Sequence, residues 1–517
     1  MILKVLFTAG ALFSISRAYQ FYQGWKKLHF LPGFYPLFSP MSLLGALIPS
    51  TWWNPGINWP WVQRHTAFFN HSHDVIAMVP ILLGDPLAYV GSLDVTRQLL
   101  SAEGKTGLTK PPEFTSILLL WGDNLVSASG EMWKRHRRLV APAFTPKTYA
   151  LVWEETITTY REMVVAQGWD QGKEFVIPKI NSLPMKFALI IISRCGFGLP
   201  MSWVDVEDKE DALSFGQSLS MVCEYKIIRL ILPRWVYKLP IKKLHDIEEA
   251  YVTLAEFMRS FVLRRKQEID EKGVEEEGQR GDLFTRLVAA LGSADKYGLE
   301  EQEVIGNTFT LMFAGHETTA KVISATLGLL AIHQGEQEKA YQEILSVCPA
   351  GTDPQLEDAP RLTHLLACFQ EALRLYPPGS ILSRETTQDV VVEISHPSKQ
   401  SLVIEKGTRL IIDMIAIHYD PKVFPDPERF LPSRWYGVPD LDVSMYGIGP
   451  RACIGRKFAQ TEATCFLALF LRDWKLDVVL KDGETRQEYE ARVMGKASID
   501  GLAFGVGPIA LKLVRRG

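Results

Sequence analysis

The chain reads as a mainly α protein, an α-rich α+β fold with small β-sheets. Three observations point there. From Asp94 onward, apolar residues recur at helical spacing over most of the sequence. Short runs of strand-forming residues are confined to the region near residue 80, to 380–415 and to the C-terminus. Strands and helices do not alternate in βαβ fashion, so a large parallel sheet is not expected.

In chain order, residues 1–16 are apolar apart from Lys4, and Arg17 follows. A membrane span takes about 20 apolar residues, so this stretch is marginal for crossing. No small-residue cleavage site follows it, which argues against a removed signal peptide. It is expected to be an N-terminal membrane anchor, and Arg17, Lys26 and Lys27 then place the body on the cytosolic side. Residues 17–56 read as a Pro/aromatic linker and an interfacial segment. The linker is Leu31-Pro32-Gly33-Phe34-Tyr35-Pro36, a hinge that would orient the body, and the segment is 41–53, with Pro49 and two tryptophans. Residues 57–517 read as one domain. Within it, 75–90 is expected to be strand–turn–strand, and 130–138, 148–167 and 213–231 amphipathic helices. Residues 266–281 form a charged connector, 300–333 a long helix, and 390–403 and 408–414 strands. Pro377 and Pro378 end the helix before them.

The chain has 517 residues, 47% of them hydrophobic and 22% charged, which is a globular balance with room for a large core. A net charge of −3 without a long basic block gives no sign of nucleic-acid binding. Cys195, Cys223, Cys348, Cys368, Cys453 and Cys465 are thinly spread with no C-x-x-C spacing, as in a reducing compartment. Asn70-His71-Ser72 is a glycosylation sequon, but a cytosolic body would never meet the glycosylation machinery.

Cys453 carries the most chemistry. It sits in Tyr446-Gly447-Ile448-Gly449-Pro450-Arg451-Ala452-Cys453-Ile454-Gly455, directly before an apolar helix expected at 457–471. Glycines let backbone approach a flat cofactor closely, and a helix start favours a thiolate over a thiol. The segment resembles the haem-binding loop of the cytochrome P-450 family, F-x-x-G-x-R-x-C-x-G, with Tyr446 in place of the phenylalanine. The overall pattern is most like microsomal enzymes of fungi. The resemblance implies the cytochrome P-450 fold, with haem b between a long central helix and the Cys-ligand loop. Its iron would be ligated by the Cys453 thiolate.

Other motifs follow in the family's order. Ala314-Gly315-His316-Glu317-Thr318-Thr319 lies in the long helix, where glycine and threonines are poor interior residues and predict a local break in the hydrogen-bond ladder. It resembles A/G-G-x-D/E-T-T, which implies that Thr318 holds the water delivering protons during oxygen activation and that Glu317 gates it. Ala314 would border the cofactor with Tyr446 and Gly455. Glu371 and Arg374 share a helix face with apolar neighbours, so the pair is expected to be buried. The family completes such a pair with a second arginine. Pro427-Glu428-Arg429-Phe430 competes for that role, but Phe430-Leu431-Pro432-Ser433-Arg434-Trp435 fits the fuller pattern, so the structural triad is Glu371, Arg374 and Arg434. Trp133 and Arg137 form a W-x-x-x-R on one helix face, and by resemblance reach a haem propionate, with Arg384 and Arg451 as further propionate contacts. Arg135, His136 and Arg138 form either a basic docking patch for a reductase or a plain solvated face.

The resemblance implies a membrane-bound monooxygenase of the endoplasmic reticulum. It would use O2 and NADPH electrons delivered by a cytochrome P-450 reductase, with cytochrome b5 as a further donor, to hydroxylate or epoxidise an apolar small molecule. A secondary-metabolite pathway, such as a terpenoid one, is the expected setting. Xenobiotic or fatty-acid hydroxylation is the alternative within this class. An O2-independent haem-thiolate isomerase or dehydratase, and a non-enzymatic haem sensor, are the alternatives outside it. Apolar walls are expected at 114–121, 215–225, 309–313, 379–382 and 498–504.

Overall fold

A computed structural model describes residues 2–101, 107–111, 119–204, 215–272, 283–292, 298–349 and 351–516. The expected connector beyond residue 272, residues 114–118 of the expected pocket wall and the start of the helix expected from Leu213 lie outside them. The helices used below are α1 (Ile2–Lys27), α2 (Leu43–Leu47), α3 (Leu93–Ser101), α4 (Gly130–Val140), α5 (Pro146–Ala166), α6 (Ser182–Phe197), α7 (Phe215–Ile231), α8 (Lys242–Lys272), α9 (Glu301–Ile332), α10 (Thr363–Leu375) and α11 (Arg456–Asp473). The strands are β1 (Gly33–Phe34), β2 (Val75–Met78), β3 (Leu87–Val90), β4 (Leu108–Thr109), β5 (Glu174–Ile177), β6 (Ile381–Thr386), β7 (Val390–Ile394), β8 (Gln400–Ile404), β9 (Arg409–Asp413), β10 (Trp474–Val478), β11 (Ala497–Asp500), β12 (Ala503–Val506) and β13 (Leu511–Arg515).

The chain divides into two compact units. One joins Met1–Pro111, Gly379–Arg429 and Ser444–Ala452; the other joins Pro112–Pro378, Phe430–Val443 and Cys453–Gly517. The first unit is built on a six-stranded sheet in the order β1-β2-β3-β9-β6-β4. β2 and β3 pair antiparallel, with Val75 opposite Val90, and β3 and β9 pair parallel, with Leu87 opposite Arg409. Its core gathers Val75, Ala77, Val90, Leu99, Leu410 and Ile412, with Phe21 and Trp25 packed against it from α1.

Those two aromatics change the picture of the N-terminus. α1 runs unbroken through residue 17 to Lys27. Its second half is docked: Arg17 Nη1 donates to the Leu82 carbonyl at 2.9 Å, and Lys27 Nζ to that of Gly407 at 2.6 Å. The expected hinge is also ordered structure. Gly33 and Phe34 form β1, parallel to β2. Only glycine permits this, because a Cβ on Gly33 would lie 1.9 Å from the Ala77 carbonyl oxygen. Among the described residues no helix is long and apolar enough to cross a membrane.

The second unit is helical, with a small antiparallel sheet, β10-β13-β5, and the hairpin β11–β12. α9 begins with a reciprocal capping box between Glu300 and Glu303. It then runs as continuous α-helix to Ile332, so the break expected near Gly315 does not occur. Two contacts explain that. The Thr318 hydroxyl donates to the Ala314 carbonyl at 2.9 Å, four residues back, and so satisfies itself within the ladder. Gly315 serves helix packing: a Cβ there would lie 2.7 Å from Ile192 Cγ1 on α6.

Candidate active site

Cys453 stands between a 3-10 turn, Gly449–Arg451, and the start of α11, with Gly455 as the N-cap residue. Its side chain is accessible, yet burial among protein atoms pushes its thiol above the ordinary value. The Gly455 backbone N–H and the Arg456 and Arg137 guanidiniums oppose that rise but do not overcome it. The helix start is therefore not enough by itself to favour the thiolate here; desolvation wins. A metal ion reverses the balance, because a coordinating thiol is deprotonated outright. An accessible but desolvated sulfur with two guanidiniums acting on it suits a cofactor-bound metal.

The glycines around it have separate uses. A Cβ on Gly449 would lie 2.1 Å from the Leu100 carbonyl oxygen, so this glycine packs the loop onto the end of α3 rather than onto a cofactor. A Cβ on Gly455 would meet nothing within 4 Å. Tyr446 ends a 3-10 turn, Ser444–Tyr446, and is half-buried, as is Arg451. Tyr446, Arg451 and Arg384 belong to the first unit. Arg384 is buried in β6, and its Nη1 donates to the Ser383 carbonyl at 2.8 Å.

The other expected residues lie in the second unit. α9 is buried along most of its length, but Ala314, Gly315 and Thr318 are partly accessible. Ala314 and Thr318, at i and i+4, share one face, whereas Gly315 points about 100° away, toward Ile192 on α6. The strip formed by Ala314 and Thr318, interrupting a buried helix, is the surface a flat ligand could lie against. Glu317 turns to a different partner. Its carboxylate accepts the Leu502 N–H at 3.2 Å and the Ala503 N–H at 3.3 Å, and lies 3.6 Å from Lys321 Nζ. Gly501 makes this possible, since a Cβ there would lie 2.1 Å from Glu317 Oε1. Glu317, His316 and Lys321 line a cavity of about 640 Å³ that Lys186 and Asp500 also border. Burial pushes the His316 pKa down to about 4, so this ring is neutral at physiological pH.

Glu371 and Arg374 are fully buried on α10. Arg374 Nη2 and Nε donate to the two Glu371 oxygens at 2.7 and 2.9 Å. Arg434 Nε reaches Glu371 Oε1 at 3.3 Å, whereas Arg429 pairs at 3.6 Å with Asp426 on an exposed turn. The Trp435 indole N–H at 2.9 Å and the Leu431 N–H at 3.1 Å also donate to Glu371. Sequence reasoning missed both, although Trp435 ends the motif that singled out Arg434.

Trp133 and Arg137 lie half-buried on α4, and Arg137 acts electrostatically on Cys453. The basic patch expected beside them is not there. His136 is fully buried, and Arg135 is ion-paired with Glu303. Asn307, which no motif singled out, is buried against His136.

The chain is similar to known proteins over most of its length. The family model described as Cytochrome P450 matches residues 57–499. Cytochrome P450 monooxygenase 124 of Postia placenta is 31% identical over 526 residues, covering 99% of each chain. Leukotriene-B4 omega-hydroxylase 3 of Mus musculus is 27% identical over 77% of this chain and 76% of its own. The crystal structure of the cytochrome P450DA heme domain superposes with a TM-score of 0.72 at 20% identity, covering 94% of this chain and 99% of that one.

Proposed function

This chain belongs to the cytochrome P450 monooxygenase family, and we propose that Cys453 is its iron ligand and an apolar small molecule its substrate. The family's cofactor is haem b with cysteine ligation. The observation that carries the assignment is Cys453 itself, accessible, desolvated and in the field of Arg137 and Arg456. When bound, the haem supplies activation of O2 with two electrons, so that one oxygen atom enters a C–H or C=C bond and the other leaves as water.

The chain's own residues hold and feed that centre. Trp133, Arg137, Arg384 and Arg451 would take the propionates, arginine because its fork matches a carboxylate. By the family resemblance, Tyr446, Gly455 and Ala314 would border the cofactor. The Thr318 hydroxyl donates to Ala314 and keeps its lone pairs for a water, which it can hold for proton delivery. Glu317, bordering the 640 Å³ cavity, would pass protons inward from that side. Glu371, Arg374 and Arg434 are structural.

An apolar substrate is supported by the aromatic character of the segments that the family resemblance assigns to the pocket, 114–121 and 309–313. The Trp121 ring lies 4.2 Å from Phe309 and stacks at 5.6 Å on Tyr251, and Phe313 follows Phe309 at 6.2 Å. A secondary metabolite such as a terpenoid is the first reading, resting on the likeness of the sequence pattern to microsomal enzymes of fungi. A long-chain fatty acid is the second reading, favoured by the relative named a leukotriene-B4 omega-hydroxylase. Electrons would come from a separate NADPH-dependent reductase, with cytochrome b5 as a second donor. Membrane association is supported by exposed Leu6, Phe7, Leu12 and Phe13 on α1, Leu43 and Leu47 on α2, and Trp52 at 96% exposure, and the family resemblance makes the endoplasmic reticulum the expected membrane.

The test is the reduced, CO-bound absorption spectrum of the protein and of Cys453→Ser. A strongly red-shifted Soret band, lost in the variant, supports thiolate ligation by Cys453. An unchanged variant spectrum overturns it. Spin-state shifts with terpenes against long-chain fatty acids then separate the two substrate classes.

A further inference from the structure

α4 carries Trp133 and Arg137, α9 carries Ala314 and Thr318, and one buried polar cluster ties the two helices together. Asn307 on α9 is fully buried. Its Oδ1 accepts the Leu125 N–H at 2.9 Å, and its Nδ2 donates to the Glu303 carbonyl at 2.7 Å. That same nitrogen lies 2.7 Å from Nδ1 of His136 on α4. Its orientation is fixed, because a backbone N–H can only donate and so demands the amide oxygen. The nitrogen facing His136 must therefore donate, and Nδ1 must accept. The ring is then the neutral Nε2–H tautomer. Nε2 lies 3.4 Å from Glu303 Oε1, long for a hydrogen bond but close enough for attraction, and Arg135 pairs with the same oxygen.

The groups facing the ring agree with a neutral state. Burial pushes the His136 pKa down and Arg135 pushes it further, against the opposing pull of Glu303 and Asp123. The backbone beneath is equally close. A Cβ on Gly306 would lie 2.6 Å from the Gly122 carbonyl oxygen, and one on Gly122 2.3 Å from that of Gln302. The segment 122–125 thus lies directly on α9, and Asn307 locks it there through Leu125.

Successive helix positions point about 100° apart, so His136 can face α9 while Arg137, the next residue, turns its guanidinium elsewhere. That guanidinium acts on Cys453. We infer that Asn307 and His136 are positioning residues for the haem site: they fix α4, with Trp133 and Arg137, against α9, with Ala314 and Thr318, so that both sets meet one haem. The inference rests on the haem-thiolate reading and adds to it a clasp that depends on one histidine tautomer.

Asn307→Asp is the discriminating variant. Aspartate still accepts from Leu125 but presents oxygen to Nδ1, so the ring must carry a proton there, and it can keep its Nε2–H toward the Glu303 carboxylate only by taking a second proton. Haem retention should then depend on pH. The measurement is the rate of haem transfer from the full-length protein to excess apomyoglobin between about pH 5.5 and 8.5, where imidazole titrates. The CO spectrum and far-UV circular dichroism are recorded on each variant. We expect Asn307→Asp to lose haem about tenfold faster at the alkaline end than at the acid end, with wild type nearly flat. His136→Gln, whose amide can accept from Asn307 and donate toward Glu303, should behave like wild type, and His136→Leu should lose haem about tenfold faster at every pH. A flat profile for Asn307→Asp, or equal loss in the Gln and Leu variants, overturns the inference. Should Asn307→Asp hold no haem at any pH, the Gln and Leu pair decides alone. A wild-type protein without the red-shifted CO band overturns the haem reading instead, and the inference with it.

Discussion

Glu371 accepts donors from Arg374, Arg434, Trp435 and Leu431, so its buried charge is fully matched. Arg374→Ala would leave that carboxylate short of its strongest partner, at a cost of about 3–5 kcal/mol. Denaturant unfolding would show it as a lower midpoint, together with poor haem incorporation. Wild-type haem loading and an unmoved midpoint would contradict the structural role. Glu462 is the opposite case: fully buried on α11, it has its pKa pushed well above 4.5 by burial alone. It is protonated in the fold and ionised in the unfolded chain once pH passes about 4.5, so the native state binds more protons. Stability from this group is therefore lost as pH rises above about 4.5 toward its raised folded value. Glu462→Gln should raise Tm at neutral pH and change it little near pH 4; equal shifts at both would refute the assignment. Thr318→Ala should uncouple NADPH consumption from product and release peroxide, and unchanged coupling would remove Thr318 from proton delivery. At this scale the sequence exposed the residues that sit in motifs, such as Cys453, Thr318 and Glu371. It was silent on Asn307 and Glu462, because burial without a motif leaves no local signal.

Elements reveal why certain glycines cannot change. Gly33 lets β1 lie on β2, and Gly33→Ala would force its Cβ against the Ala77 carbonyl. The strand would have to shift, at a cost of about 1–3 kcal/mol, visible as a lower Tm. An unaltered Tm would mean that β1 adds nothing to the sheet. Helix extents were largely legible: the periodicity predicted 300–333 and the structure has Glu301–Ile332, because a long apolar pattern leaves little choice. The expected break at Gly315 was misread for a tertiary reason. Glycine and threonine weaken an isolated helix, but here Ile192 fills the glycine gap and Thr318 bonds back to its own ladder.

Across the whole molecule, α1 has one half packed on the first unit and the other half exposed. Residues 2–16 would extend about 23 Å as a helix, short of the roughly 30 Å hydrocarbon core. Deleting them should reduce sedimentation with anionic vesicles while leaving the CO spectrum intact, since Phe21, Trp25 and Lys27 remain to dock the rest. Loss of the spectrum on deletion would mean the exposed half is needed for folding. By itself the sequence determined the helical class, the order of the motifs and the family, because these are carried by periodicity and by short fixed spacings along the chain. Only the tertiary structure decided that the linker is a sheet strand, that His136 is a buried clasp rather than a docking charge, and that desolvation outweighs the helix start at Cys453. Each of those depends on atoms brought close from distant parts of the chain, and burial and field strength exist only once they are packed.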